Sequence, residues 1–174
     1  MFEKGEYIVY GHNGICRVED ITHLSLSGAD KERIYYVLVP LNSSGSVIYY
    51  PADKENSKAR RTMTAEEALE LLDEIQGIEQ MCVLNEKLRE EIYKKALYSG
   101  DCREWVAIIK TLYLRRQDRL HSGKRVAAVD ERYLKMAEEA LYSEMAFAMG
   151  RKKEEMEDVI TDHIRRKKEA MEAR

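Results

Sequence analysis

Hydrophobic and polar positions alternate in the first third of the chain, which is the pattern of half-buried β-strands. Tyr7–Tyr10 and Ile15–Ile21 are short runs of β-branched and aromatic residues, and the turn sequence Gly11–Gly14 separates them. Similar runs follow at Arg33–Val39 and Ser46–Tyr50, each succeeded by a proline that can end strand pairing at little cost. The pattern predicts four or five short strands with tight turns, curled into a small barrel.

Five of the tyrosines in this segment leave two interpretations open. Because side chains alternate along a strand, one member of each adjacent pair must face outward. In the first interpretation the inward members fill a thin barrel, and the outward ones are ordinary surface residues. In the second, the outward members join Ile48 in an adhesive strand face. The tyrosines concerned are Tyr10, Tyr35, Tyr36, Tyr49 and Tyr50.

Beyond about residue 63 the hydrophobic positions follow the 3.6-residue spacing of helices. Thr64 and Glu67 have the spacing of a capping box, which predicts a first helix that ends near Gly77. The stretch Glu79–Tyr98 predicts a second helix, with an apolar stripe among many Glu and Lys residues.

Three further helices are predicted in the remainder of the chain. Asp101 resembles an N-cap for the third, which carries Trp105 on its apolar stripe. Asp130 is predicted to open the fourth, and Lys152–Met171 forms the fifth. The apolar face of this last helix can pack on its own bundle or on a second copy of the chain, so the pattern fits a monomer or a weak homodimer. The expected fold class is α+β, with a β-barrel in residues 1–62 and an all-α bundle of about five helices in 63–174.

Composition narrows the function classes. The chain is 44% hydrophobic and 35% charged, and no apolar run approaches the roughly 20 residues of a membrane span. Charged residues stand at the start of the chain where a signal peptide needs an apolar region, so we expect a soluble cytoplasmic protein without a membrane partner. The three cysteines and four histidines are scattered without metal-ligand spacing, which predicts no metal and no cofactor. Phosphate loops and nucleophile elbows are also missing from the sequence, so an enzyme is disfavoured.

Positive charge is concentrated in one stretch of the sequence. The formal net charge is −3, yet Lys110–Arg125 contains six cations against a single anion. Such a block can contact DNA phosphates, or it can be a solvated helix face. The candidates for phosphate contact are Arg115, Arg116, Arg119, Lys124 and Arg125. Secondary candidates in the second predicted helix are Lys87, Arg89, Lys94 and Lys95.

Longer motifs carry a family resemblance across both halves. The opening F-x-K-G-E-Y-I-V-Y-G-H-N-G-I-C-R-V-E-D-I, the L-S-G turn at 26–28, and the strands Tyr35–Leu38 and Val47–Pro51 resemble the polymerase-interacting module of CarD, CdnL and transcription-repair coupling factor proteins. Ser99-Gly-Asp101, the Leu112-x-x-Arg115-Arg116 helix end, and Asp130-x-x-x-Leu134-x-x-Ala137-x-x-x-Leu141 resemble the helical domain of full-length CarD-like regulators.

This resemblance implies a bacterial transcription regulator without catalytic activity. Its Tudor/SH3-like β-module would dock by strand contact on the β subunit of RNA polymerase. Its helical domain would touch promoter DNA near the upstream edge of the melted region and so modulate open-complex formation. By position, the implied polymerase-binding residues are Leu24, Ser25, Ile48, Tyr49 and Tyr50.

The sequence departs from the family pattern at two places. Well-studied members wedge a tryptophan into the minor groove before the Ser-Gly-Asp break, whereas Cys82–Leu88 offers only Leu84 or Leu88. Some members also carry arginines at the places of Leu24 and Tyr49, so the contact here would be more apolar. The sole tryptophan, Trp105, fits a core position. An interaction adaptor, whose barrel binds another partner and whose bundle does not contact DNA, is therefore the alternative hypothesis.

Overall fold

The computed structural model describes residues 1–25, 27, 32–43, 45–53 and 59–173. These residues fall into two compact units, Met1–Thr62 and Met63–Arg174. The first is a five-stranded antiparallel sheet and the second is built from helices, so the predicted α+β class is confirmed. Of the helices in the described ranges, none is both long and apolar enough to cross a bilayer.

The sheet has the order β4-β3-β2-β1-β5, in which every neighbouring pair is antiparallel. The strands are β1 (Tyr7–Tyr10), β2 (Ile15–His23), β3 (Ile34–Pro40), β4 (Ile48–Pro51) and β5 (Ala59–Arg61). As predicted, a proline closes β3 and another closes β4. The turn between β1 and β2 contains one turn of 3-10 helix, and Gly11 and Gly14 adopt positive φ angles of 50° and 68°. Of the other predicted turns, most of 26–30 and one residue of 42–46 lie outside the described residues.

The core of the sheet unit shows which tyrosines face inward, and it places Ile48 on their side of the sheet rather than with the outward tyrosines. Tyr36 and Tyr50 are buried on the inner face, with parallel rings whose centres are 6.4 Å apart. They pack with the buried side chains of Ile8, Val18 and Leu38. Inward tyrosines therefore fill the interior, while alternation turns Tyr49 outward.

One strand was not predicted. Ala59–Arg61 lies between the last predicted strand and the first predicted helix, where three residues with two arginines show no alternation. The structure pairs this stretch with β1, placing Val9 opposite Arg60. The pairing partner, rather than local propensity, makes it a strand.

The helical unit contains five α-helices within the described residues. They are α1 (Ala65–Glu74), α2 (Arg89–Tyr98), α3 (Cys102–His121), α4 (Ala128–Met149) and α5 (Met156–Glu172). Trp105 is fully buried, and its indole N–H donates to the Leu97 carbonyl at 3.0 Å. The interpretation of Trp105 as a core residue is confirmed.

Helix starts agree with the sequence where a capping side chain determines them. Thr64 and Glu67 form the predicted capping box of α1. Asp101 caps α3 as predicted, and its carboxylate accepts from the Arg103 amide. The predicted start of α4 at Asp130 was wrong, because the helix begins at Ala128 and Asp130 is buried within its first turn.

The predicted helix over Glu79–Tyr98 was wrong in its first half. Residues 79–85 have neither helical nor strand structure, and a short 3-10 turn at Glu86–Leu88 leads into α2. The side chain of Asn85 accepts from the Lys87 amide and thereby starts this turn. The preceding residues are instead drawn onto α3, since the Met81 amide donates to the Thr111 hydroxyl at 2.8 Å.

The last helix packs within its own bundle along its first half. Met156 is fully buried, and the Ile164 carbonyl accepts from the Gln76 side chain near the end of α1 at 3.4 Å. A ring nitrogen of His163 lies 2.8 Å from the Asp73 carboxylate on α1. This face of α5 is therefore covered by the chain itself.

Candidate functional site

Strand β4 is one of the two edge strands of the sheet formed by the described residues, with β3 as its neighbour and β5 at the opposite edge. The Ala52 amide donates to the Ile34 carbonyl at 2.9 Å, so Ala52 and alternate residues before it direct their backbone groups at β3. Tyr49 has the opposite phase. Its N–H and C=O therefore point away from β3, where they can pair with a strand of another protein.

Apolar side chains line the outer face beside this edge. The side chain of Tyr49 is 48% exposed and stands opposite half-buried Val37 on β3. Tyr35, also half-buried, stands opposite Pro51 in the same register. These four residues, which we call the β4 surface, combine free backbone groups with apolar contact area.

The other residues assigned to polymerase binding occupy different environments. Tyr50 is buried in the core, so its side chain is not part of the β4 surface, and Ile48 is half-buried. Leu24 is half-buried and Ser25 exposed just beyond the end of β2. Since His23 pairs with Ile34 and Tyr49 with Val37, this corner lies about 10 Å further along β3 and on its other side.

In the helical unit, the most exposed apolar side chain of the described residues is Leu84, at 93%. It lies in the irregular segment before α2, and Leu88 in the following 3-10 turn is 48% exposed. Lys87 is exposed beside them and forms no ion pair with any described residue. The structure therefore displays an apolar tip next to a cation, a combination suited to a groove lined by phosphates.

Two of the predicted phosphate contacts are bound inside the protein. The guanidinium of Arg115 donates to both oxygens of Glu86 at 2.8 Å, and its Nε donates to Asp130 at 3.0 Å. Arg89 lies 3.3 Å from Glu86 and 3.2 Å from the other oxygen of Asp130. The last pair is close enough for charge attraction but is not aligned as a hydrogen bond. We call these two arginines and two carboxylates the arginine–carboxylate cluster.

The electrostatics of this cluster favour the ionised forms of Glu86 and Arg115. The hydrogen bonds from Arg115 lower the pKa of Glu86, and those to the carboxylates raise the pKa of Arg115. Asp130 is 2% exposed, and its charge is compensated by the two arginines. With two charges of each sign the cluster is neutral, so it adds little to a positive DNA-facing potential.

The remaining predicted cations are dispersed over the helical unit. Arg116, Lys124 and Arg125 are exposed near the end of α3 and in the following loop, and Arg119 donates to the Arg125 carbonyl at 2.6 Å. On α2, Lys95 is exposed, and the Lys94 ammonium lies 5.8 Å from the centre of the Tyr98 ring. Lys110, in the same basic block, instead donates to the Gln76 and Ile78 carbonyls.

Three residues that organise this region were missed from sequence: Glu86, Thr111 and Asp130. The signals were present but weak. Thr111 and Arg115 are four residues apart on α3, and Thr111 interrupts its apolar stripe. Glu86 and Arg89 have the spacing of a helical ion pair. Nothing local indicated that Asp130 would be their buried common partner.

Comparison with known proteins agrees with the division of the structure into a sheet unit and a helical unit. A model of the CarD-like/TRCF RID domain matches residues 2–63, and a model of the CarD C-terminal domain matches residues 67–161. No curated protein matches the chain. The RID-domain match contains the β4 surface, and the second match contains Leu84 and the arginine–carboxylate cluster. The chain therefore belongs to the CarD family of transcription-related regulators that interact with RNA polymerase.

Proposed function

We propose that the sheet unit binds the β subunit of RNA polymerase and that the helical unit contacts promoter DNA, shifting the closed-to-open promoter equilibrium. Such a regulator needs no catalytic group. A contact made only in the open state that is worth about 1.4 kcal/mol changes this equilibrium tenfold. Modest surfaces of the kind seen here are sufficient for that effect.

The observation that carries the proposal is the outer edge of β4, which pairs with no other strand among the described residues, in the unit that matches the polymerase-interacting family model. A partner strand can pair with the outward N–H and C=O of Tyr49, which supplies affinity through the backbone. The alternate side chains of Tyr49, Val37 and Tyr35 then supply selectivity. The corner formed by Leu24 and Ser25 is a second, smaller contact in this proposal.

Co-purification of the full chain with the polymerase β subunit tests the proposed binding of the sheet unit to this subunit. Tyr49→Ala should weaken binding about tenfold or more, because an interface tyrosine contributes large contact area at low entropic cost. Tyr113→Ala is the matched control, since Tyr113 is 51% exposed on α3 and lies in the other unit. Failure of the wild-type chain to bind the β subunit refutes the proposal. Equal effects of the two substitutions on binding would instead exclude the β4 surface as the binding site for the β subunit.

For the DNA contact, the support is the exposed tip of Leu84 beside Lys87. Burial of a leucine side chain against unstacked bases recovers apolar surface that now faces solvent, and the lysine can pair with a phosphate. The dispersed cations Arg116, Lys124 and Arg125 add sequence-independent attraction in this proposal.

Binding to forked promoter DNA at several salt concentrations tests the second part. Leu84→Ala should lower the affinity about tenfold, and Leu84→Trp should raise it because the larger ring fills more of an opened base step. Leu69→Ala on α1, where the side chain is 51% exposed, is the matched control. Absence of salt-dependent binding to forked DNA refutes the DNA contact, and together with a failure to bind the polymerase it favours the adaptor alternative. The internal pairing of Arg89 and Arg115 supports the part of that alternative in which the bundle does not contact DNA.

We further propose that the protein works in the cytoplasm as a monomer or weak homodimer, without a cofactor. The family assignment supports the location, since transcription regulators act where the polymerase is. The covered first half of α5 supports the oligomeric state, because its apolar face is already used within one chain.

A further inference from the structure

The segment that carries Leu84 is attached to α3 at three successive points. The Lys110 ammonium donates to the Ile78 carbonyl at 2.6 Å, and the Thr111 hydroxyl accepts from the Met81 amide at 2.8 Å. The Arg115 guanidinium then binds Glu86 through two hydrogen bonds. The attachments follow the direction of α3, so the segment runs alongside this helix.

Between the attachments at Met81 and Glu86, no hydrogen bond of the described residues holds the segment to α3. Thr111 and Arg115 are four residues apart on one face of α3, which corresponds to a rise of about 6 Å, to which the reach of the Arg115 and Glu86 side chains is added. The five residues from Met81 to Glu86 can span about 17 Å when extended. Chain length that the attachments do not use can curve away from the helix, and Leu84 occupies this part of the segment with 93% of its side chain exposed.

The attachment at Glu86 is the firmest of the three. A fork of two N–H groups on a carboxylate fixes orientation as well as distance. Arg115 is itself held from behind by Asp130, whose carboxylate is 3.0 Å from its Nε and almost fully buried at the start of α4. The position of Glu86 is thereby tied to both α3 and α4.

We propose that Thr111 and Arg115 are positioning residues, which hold the segment so that Leu84 projects in the conformation that meets DNA. This inference rests on the proposed DNA contact of Leu84. An exposed leucine on an unattached loop would have to be ordered on binding, and that loss of entropy would weaken the contact. Because the attachments order the segment when the protein folds, this entropy is lost during folding and not on binding to DNA.

The proposal gives Arg115 a role that can be separated from phosphate binding. If Arg115 only adds positive charge, then Glu86→Ala removes a competing anion and DNA binding becomes tighter. If Arg115 positions the segment, then Glu86→Ala releases it and DNA binding becomes weaker. The two roles considered for Arg115 therefore predict opposite changes in DNA affinity for Glu86→Ala.

Hydrogen exchange and DNA binding of full-length variants provide the test. Thr111→Val removes the acceptor of the Met81 amide without changing charge, and its exchange at Met81 should speed up about tenfold. Arg115→Lys keeps the charge but loses the fork, whereas Arg103→Lys is the matched control, since Arg103 is an exposed arginine of α3 that pairs with Glu74 and has no role in the proposed DNA contact. Affinity for forked DNA should fall about threefold to tenfold for the first two variants and stay unchanged for the control. Unchanged tryptophan fluorescence shows that each variant is folded.

A double-mutant cycle distinguishes positioning from general loosening. In the Leu84→Ala background, Thr111→Val should have no further effect on DNA affinity, because the group that it positions has been removed. Independent, additive losses overturn the inference, as does tighter binding by Glu86→Ala. If Leu84→Ala by itself leaves DNA affinity unchanged, the proposed function fails at this contact. If only Leu84→Ala lowers the affinity, the DNA contact stands and the positioning role is refuted.

Discussion

Replacing Asp130 by asparagine should destabilise the helical unit strongly. The side chain of Asp130 is 3% exposed and lies between Arg89 and Arg115, with nitrogen–oxygen distances of 3.2 and 3.0 Å. Asparagine keeps the shape and one hydrogen-bond acceptor but removes the charge. The two guanidinium groups are then left with Glu86 as their only carboxylate in the cluster, and they repel each other.

The magnitude follows from the burial of the three partners. Breaking a fully buried ion pair costs about 3–5 kcal/mol. The side chains of Arg89 and Arg115 are 25% and 28% exposed, so water screens part of the repulsion. We therefore expect a loss of about 2–3 kcal/mol, equivalent to a fall in Tm of about 10 °C for a domain of roughly 100 residues.

Urea unfolding followed by intrinsic fluorescence measures this loss in the intact chain. The only tryptophan is Trp105 in the core of the helical unit, so its emission reports on that unit. Asp118→Asn, on the exposed surface of α3, is the matched control and should change the unfolding free energy by less than about 0.5 kcal/mol. An Asp130→Asn variant that is as stable as this control would show that the cluster does not stabilise the unit.

Three further outcomes follow from the same structure. Tyr50→Phe should leave the unfolding free energy unchanged or raise it by up to about 1 kcal/mol, since the buried Tyr50 hydroxyl has no hydrogen-bond partner among the described residues; a loss above that size contradicts it. The pKa of Glu86 is lowered in the folded protein, so its contribution to stability is complete above the ordinary glutamate pKa of about 4.3 and is lost as the pH falls through the folded value. The stability difference between wild type and Glu86→Ala should therefore shrink in acid, and a constant difference down to about pH 2.5 would be inconsistent with it. Lys87→Ala should reduce the slope of log affinity for DNA against log salt by about 1, whereas an unchanged slope would place Lys87 away from the phosphates.

Local signals in the sequence were sufficient to predict most of the strands and helices. Alternation located β1 to β4, and the capping box of Thr64 and Glu67 located the start of α1. These signals work because their determinants are neighbours in sequence. The strand at Ala59–Arg61 has no such determinant, since only pairing with β1 defines it. Residues 79–85 carry helical spacing, but the hydroxyl of Thr111 holds the Met81 amide in a non-helical conformation.

The candidate site shows the same division between local and distant determinants. Alternation establishes that Tyr49 and Tyr50 face opposite ways, but the sheet register is needed to show that Tyr49 is the outward one. Arg115 and Arg116 are indistinguishable in sequence. One is held by carboxylates from two other elements of the bundle and the other is exposed, because their side chains leave α3 in directions about 100° apart.

The proline that ends β4 also limits what can pair with this edge. Pro51 shares the outward phase of Tyr49, but it has a carbonyl and no N–H, so an incoming strand finds an incomplete ladder there. Two copies of the chain that meet edge to edge would leave backbone groups unpaired on both sides. The same residue therefore discourages aggregation through β4 and would restrict the register of a strand that paired with this edge.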